Sequence, residues 1–91
     1  MSSTFDALRL RFVARCADDL ALIDRSVSDR TFQMSELLQN TIHRLSGSAG
    51  TFGFPALGDL AQVIDDDLAR GAVPSLKSIH ALADGLKRMG S

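Results

Sequence analysis

The sequence predicts an all-α domain, an antiparallel up-down-up-down bundle of four helices, from two observations. Apolar residues recur every three or four positions through four successive segments, which is the spacing of a helix with one buried face. A polar cluster ends the first segment, glycine and proline separate the others, and no segment shows the two-residue alternation of a strand. Four amphipathic helices with short connections pack most simply as such a bundle. The 91 residues suffice for one core, so we expect a single domain over 1–91.

The first two segments carry the longest apolar stripes. The stripe of the first predicted helix consists of Phe5, Leu8, Phe12, Cys16, Leu20, Ile23 and Val27. A polar cluster at 26–29 interrupts the pattern, and the second stripe consists of Met34, Leu38, Ile42, Leu45, Ala49 and Phe52. Gly53 follows directly and suits the left-handed residue beyond a helix C-terminus.

A proline precedes each of the third and fourth apolar stripes. Pro55 suits the first helical turn, where its missing N–H costs nothing. The third stripe consists of Leu57, Leu60, Ile64 and Leu68, and Gly71 closes it. Pro74 opens the fourth stripe, which consists of Leu76, Ile79, Leu82, Leu86 and Met89.

Composition excludes several classes of function. Ten basic and eleven acidic residues leave a net charge of −1, without the basic face that nucleic-acid binding needs. A single cysteine excludes a disulfide framework and suits a reducing compartment, and two scattered histidines fall short of a metal or haem site. No apolar run approaches the roughly 18–20 residues of a membrane span, and charges interrupt the first twenty residues. We expect a cytoplasmic monomer without metal, cofactor, nucleic acid or membrane.

The second predicted helix contains an anomaly. Gly47, Gly50 and Gly53 recur at intervals of three after His43, and the two interior glycines give up about 2 kcal/mol of helix propensity. On a helical wheel, His43 lies roughly 140° from the centre of the apolar stripe, so its ring should face solvent. Its neighbours within about two turns lack bulky apolar side chains: Gln39, Asn40, Ser46, Gly47 and Gly50. This strip would let another protein approach the ring, although a solvated histidine and helix-packing glycines are alternative interpretations.

The stretch from Leu38 to Leu68 resembles the histidine-containing phosphotransfer (HPt) domain of phosphorelays. The residues that carry the resemblance are His43, Leu45, Gly47, Gly53, Leu57, Leu60, Ile64 and Asp65. It implies that His43 accepts a phosphoryl group from a receiver-domain aspartate and passes it to another receiver. The chain would then be a phosphocarrier and not an autonomous enzyme. Its partners would be response-regulator receivers, which bring the magnesium ion, and a hybrid histidine kinase. Asp65, at an acidic position of the family, would orient His43 through a hydrogen bond.

One position departs from the family pattern. Ser46 stands where the family frequently has lysine, whose ammonium would help to neutralise an incoming phosphoryl group. Arg44 lies about 100° round the helix from His43 and could compensate only by reaching across. The departure leaves open a non-phosphorylated adaptor that docks a receiver or another signalling protein. An unrelated four-helix interaction module, with glycines at a helix contact, is the remaining alternative.

Overall fold

Four helices make up almost all of the described chain. The computed structural model describes residues 3–29 and 36–89, and within these ranges no strand occurs. The helices are α1 (Ser3–Ser28), α2 (Glu36–Ser48), α3 (Pro55–Ala69) and α4 (Leu76–Met89). The predicted all-α fold is confirmed. No helix in these ranges combines the length and apolar character that crossing a bilayer requires.

The helices form a ring in which each packs beside the next, and α4 closes against α1. Contacts run in opposite order along neighbouring helices. Between α1 and α2, Asp19 meets Arg44 while Phe5 stacks on Phe52 beyond the end of α2. Between α2 and α3, His43 meets Asp65 while Gly58 lies against Ala49. This order is the one expected for antiparallel neighbours.

The core lies on the axis of the ring. All four helices supply side chains that are at most 2% exposed: Cys16, Ile23, Leu38, Ile42, Leu45, Ile64 and Leu82. Three members of the predicted stripes differ, because Phe5, Leu8 and Leu76 are 41%, 44% and 61% exposed. Each lies in the first two turns of its helix. Met34, from the second predicted stripe, lies outside the described residues.

Gly53 ends the turn that follows α2, and Gly71 ends α3 as the sequence predicts. Their φ angles of +93° and +74° are left-handed, a conformation that glycine adopts without a side-chain penalty. The N–H of Phe54 donates to the carbonyl of Ala49 at 2.8 Å, and the N–H of Ala72 donates to that of Asp67 at 2.8 Å. These bonds form Schellman motifs, which satisfy carbonyls at a helix end.

Two predicted boundaries are wrong. The regular part of α2 ends at Ser48, so Gly50 lies in the following turn. Of the two glycines, only Gly47 is interior to α2, so the helix propensity that α2 gives up falls to about 1 kcal/mol. Pro74 is buried in the connection before α4 and does not open the helix. Ser75 caps α4 instead, since its hydroxyl oxygen accepts a hydrogen bond from the N–H of Ser78 at 3.1 Å.

Candidate functional site

His43 projects from the outer surface of α2 and is held from one side by α3. Its side chain is 78% exposed, although its neighbour Ile42 is fully buried. The ring Nδ1 lies 3.0 Å from Oδ2 of Asp65, whose side chain is 19% exposed. A carboxylate only accepts, so Nδ1 carries the proton in this bond. In the neutral imidazole, Nε2 then keeps the lone pair that can act as a nucleophile.

Gly58 brings α3 close enough for this contact. A Cβ built on Gly58 would lie 3.6 Å from Ala49 Cβ and 3.7 Å from the carbonyl oxygen of Ser46. A larger side chain would therefore separate the two helices. Gly58 precedes Asp65 by seven residues, which is two helical turns, so both lie on the face toward α2. The sequence interpretation missed this residue, although a glycine two turns before Asp65 was a usable signal.

The strip beside His43 is open in the structure. Gly47 and Gly50 are exposed, and a Cβ added at either would meet nothing within 4 Å. Asn40 is exposed one turn earlier, whereas Gln39 is half-buried. Another molecule can therefore approach this side of α2 without a bulky side chain in its way.

Ser46 makes a local bond within α2. Its hydroxyl donates to the backbone carbonyl of His43 at 2.7 Å. This bond is a common way for serine to satisfy its hydroxyl inside a helix. The proton of the hydroxyl is therefore directed at the backbone and not at the imidazole ring.

Arg44 does not reach toward His43 to compensate for the missing lysine. Its Nη2 donates to Oδ1 of Asp19 on α1 at 2.7 Å, and Asp19 is only 5% exposed. Among the described residues, the second carboxylate oxygen of Asp19 has no hydrogen-bond partner. Arg44 thus neutralises a buried carboxylate. The sequence pattern could have indicated Asp19, because it lies three residues after Cys16 and four before Ile23, on the buried side of α1.

Cys16 lies beside this ion pair in the core. The pKa of its thiol is raised from 9.0 to about 11, first by burial and second by the charge of Asp19, while Arg44 opposes the increase. The thiol is therefore protonated at neutral pH and a poor nucleophile. The described residues contain no group of three or more potential ligands arranged to hold a metal ion.

The three consecutive aspartates of α3, Asp65, Asp66 and Asp67, have different partners. Asp65 meets His43, whereas Asp66 is exposed and accepts a hydrogen bond from the Gln62 amide at 2.8 Å. Asp67 pairs with Arg70 one turn later. Asp65 is the member that contacts the imidazole.

Comparison with known proteins gives the family of the chain. A model of the Hpt domain family matches residues 7–91, which include all of α2, α3 and α4 and most of α1. The chain belongs to the Hpt domain family. Hpt domains are helical bundles of two-component signalling that carry phosphoryl groups and interact with receiver domains. Comparison with curated proteins and with solved structures gave no match.

Proposed function

We propose that this Hpt domain is an intermediate of a phosphorelay, with His43 as its phosphoacceptor. The supporting observation is an exposed imidazole whose Nδ1 is held by Asp65, on a surface that a second protein can reach. The domain accepts the phosphoryl group from the aspartyl phosphate of one receiver. It then passes the group to an aspartate of another receiver.

The proposed transfer needs few groups from this chain. The Nε2 lone pair of His43 attacks phosphorus, a P–N bond forms, and the P–O bond to the receiver aspartate breaks and leaves a carboxylate. Nδ1 keeps its proton, so the phosphorylated ring is cationic and Asp65 balances that charge. Transfer onward reverses these steps on the second receiver. Each receiver supplies its own magnesium ion and most of the stabilisation of the phosphoryl charge.

A phosphotransfer assay tests the role of His43. The domain is incubated with a receiver phosphorylated on aspartate, and acid-labile phosphate on the domain is measured. We expect labelling of the unchanged chain and none of His43→Ala. His80→Ala is the matched control, since His80 is an exposed histidine on α4. Labelling of His43→Ala would exclude His43 as the acceptor.

Asp65 is proposed as a positioning residue for His43. Asp65→Ala removes the acceptor for Nδ1, and a hydrogen bond to a charged group contributes about 1.5–3 kcal/mol, so we expect transfer to slow about tenfold or more. Asp65→Asn should restore part of the rate, because an amide oxygen can also accept. Nitrogen NMR of the ring should show the Nδ1–H tautomer losing population in Asp65→Ala. Asp84→Ala, at an exposed aspartate on α4, is the control, and an unchanged rate and tautomer in Asp65→Ala would contradict the role.

The contact made by Ser46 favours a second candidate, an adaptor that docks without transfer. This position lacks the lysine frequent in the family, and its hydroxyl proton is engaged by the His43 carbonyl. Calorimetric titration with an unphosphorylated receiver separates the two functions. Binding without labelling in the phosphotransfer assay would indicate the adaptor.

A further inference from the structure

Charge is distributed unevenly over the four helices. The segment 36–70, which contains α2, α3 and their connection, has five acidic and two basic residues and a net charge of −3. In contrast, α4 has three basic residues and one acidic residue, for a net charge of +2. The helix pair that presents His43 is therefore the acidic side of a nearly neutral protein.

Both cations of the acidic segment are already engaged. Arg44 is bonded to Asp19, and Arg70 is bonded to Asp67. The antiparallel contacts place Asp66 near the level of His43 and Asp59 near the level of Gly50, and both carboxylates are exposed. A phosphoryl group on His43 would thus lie on the acidic helix pair, with both arginines of that pair held elsewhere.

The open strip offers the place for a cation from another molecule. Next to His43, a Cβ built on Gly47 or Gly50 would meet nothing within 4 Å beyond the adjoining backbone. A lysine or arginine side chain lying over Gly47 would reach the neighbourhood of the imidazole. It would supply the positive charge that Ser46 does not.

We propose that this surface, defined by His43, Gly47, Gly50, Asp59 and Asp66, selects receivers that carry basic side chains on the rim of their docking face. One of those side chains lies over Gly47, beside the phosphoryl group. The inference rests on the proposed function, since it specifies the partner of the same site. Complementary charges at a rim chiefly raise the association rate and suppress partners of like charge.

The experiment uses two purified receiver domains, one with a basic and one with an acidic docking rim, at two salt concentrations. The full chain is compared with a double variant, Asp59→Lys with Asp66→Lys, and with Asp84→Lys as a control on α4, where Asp84 is also exposed. Stopped-flow mixing gives association rates, and radiolabel gives transfer. Phosphoramidate, a small donor without a docking face, reports whether His43 of each variant can still be phosphorylated.

We expect the double variant to associate about tenfold more slowly with the basic-rim receiver and faster with the acidic-rim receiver. Both changes should shrink at high salt, and Asp84→Lys should change neither rate by more than about twofold. Equal rates for the two receivers, or no binding of either, would overturn the inference. Charge-dependent binding without transfer from either receiver would support the inference and contradict the phosphorelay function.

Discussion

Ser46 is the residue at which a single added charge should change the chemistry of His43. Ser46→Lys would place an ammonium a few ångströms from a phosphoryl group on the ring. At a solvated surface such a charge contributes on the order of 1 kcal/mol, which is about five- to tenfold in rate or affinity. We expect faster transfer or a longer-lived phosphohistidine, measured against one phosphorylated receiver, and a smaller gain at high salt.

Ser48→Lys is the matched control for this change. It adds the same charge to α2, five residues after His43 and roughly 160° away from Ser46 on the helix, at a position that is also half-buried. An equal effect of both substitutions would mean that net charge, and not a cation beside His43, governs the reaction. No effect of either on transfer or on its salt dependence would contradict the electrostatic role of position 46.

Cys16 should make the stability of the protein depend on pH in the alkaline range. Its pKa is raised to about 11 in the fold, so the folded state binds this proton more tightly than the unfolded state. The resulting stabilisation, about 2–3 kcal/mol, is present below about pH 9 and is lost as the pH rises through 11. Denaturant unfolding from pH 8 to about 11 measures it, and the chain has no tyrosine to titrate in this range.

Cys16→Ala is the control for the pH dependence. The variant should be less stable at pH 8, because removing the buried sulfur leaves a small cavity. Its free energy of unfolding should nevertheless fall less steeply between pH 9 and 11. The same slope in both proteins would show that a group other than the Cys16 thiol is responsible.

Within α2, Gly47 should matter for docking and not for folding. Gly47→Arg adds a long side chain where a Cβ meets nothing within 4 Å, and arginine favours the helix by up to about 1 kcal/mol relative to glycine. Thermal unfolding should therefore stay unchanged or shift upward, while phosphotransfer from a receiver is lost. Gly47→Ala is the control and should keep transfer. Normal transfer in Gly47→Arg would show that the partner does not cover this part of α2.

At the scale of the element, the sequence pattern predicted the buried face of a helix better than the residue at which the helix ends. The stripe of α2 is buried at Leu38, Ile42 and Leu45, because a period of three to four residues defines a helix face whatever packs on it. Gly53 ended the segment as expected, since its left-handed φ is a local requirement. The regular α-helix nevertheless stops at Ser48. The last turn before the Schellman motif has tighter, i to i−3 hydrogen bonds, and the sequence does not show at which residue that turn begins.

Contacts between helices were harder to predict. The hydrogen bond from His43 to Asp65 was expected only through the family resemblance. The bond from Arg44 to Asp19 was not expected at all. Both depend on how the helices are rotated about their axes, which is set by close contacts such as that of Gly58 against α2. A wheel gives the face on which a side chain lies, but not the residue that it meets across a helix interface.

At the scale of the whole molecule, the pair of Asp19 and Arg44 ties the helix of the phosphoacceptor to α1. Asp19 is 5% exposed, and the Arg44 side chain is 25% exposed. Arg44→Ala would leave a buried carboxylate without a cation, which costs about 3–5 kcal/mol for fully buried pairs. Because water reaches Arg44, we expect a loss near 2–3 kcal/mol in denaturant unfolding. Arg70→Ala breaks an exposed pair with Asp67 and should cost less than about 1 kcal/mol.

A phosphotransfer assay of Arg44→Ala distinguishes two roles of Arg44, neutralising Asp19 and binding the phosphoryl group on His43. If its role is to neutralise Asp19, folded Arg44→Ala at low temperature should accept phosphate from a receiver at nearly the normal rate. Adding Asp19→Asn to Arg44→Ala should then restore part of the lost stability, because the buried group no longer carries a charge. A folded Arg44→Ala that has lost transfer would instead show that the guanidinium leaves Asp19 to serve the phosphoryl group on His43. The ion pair would then be a resting state of the site, and Arg44 would supply the cation that Ser46 lacks.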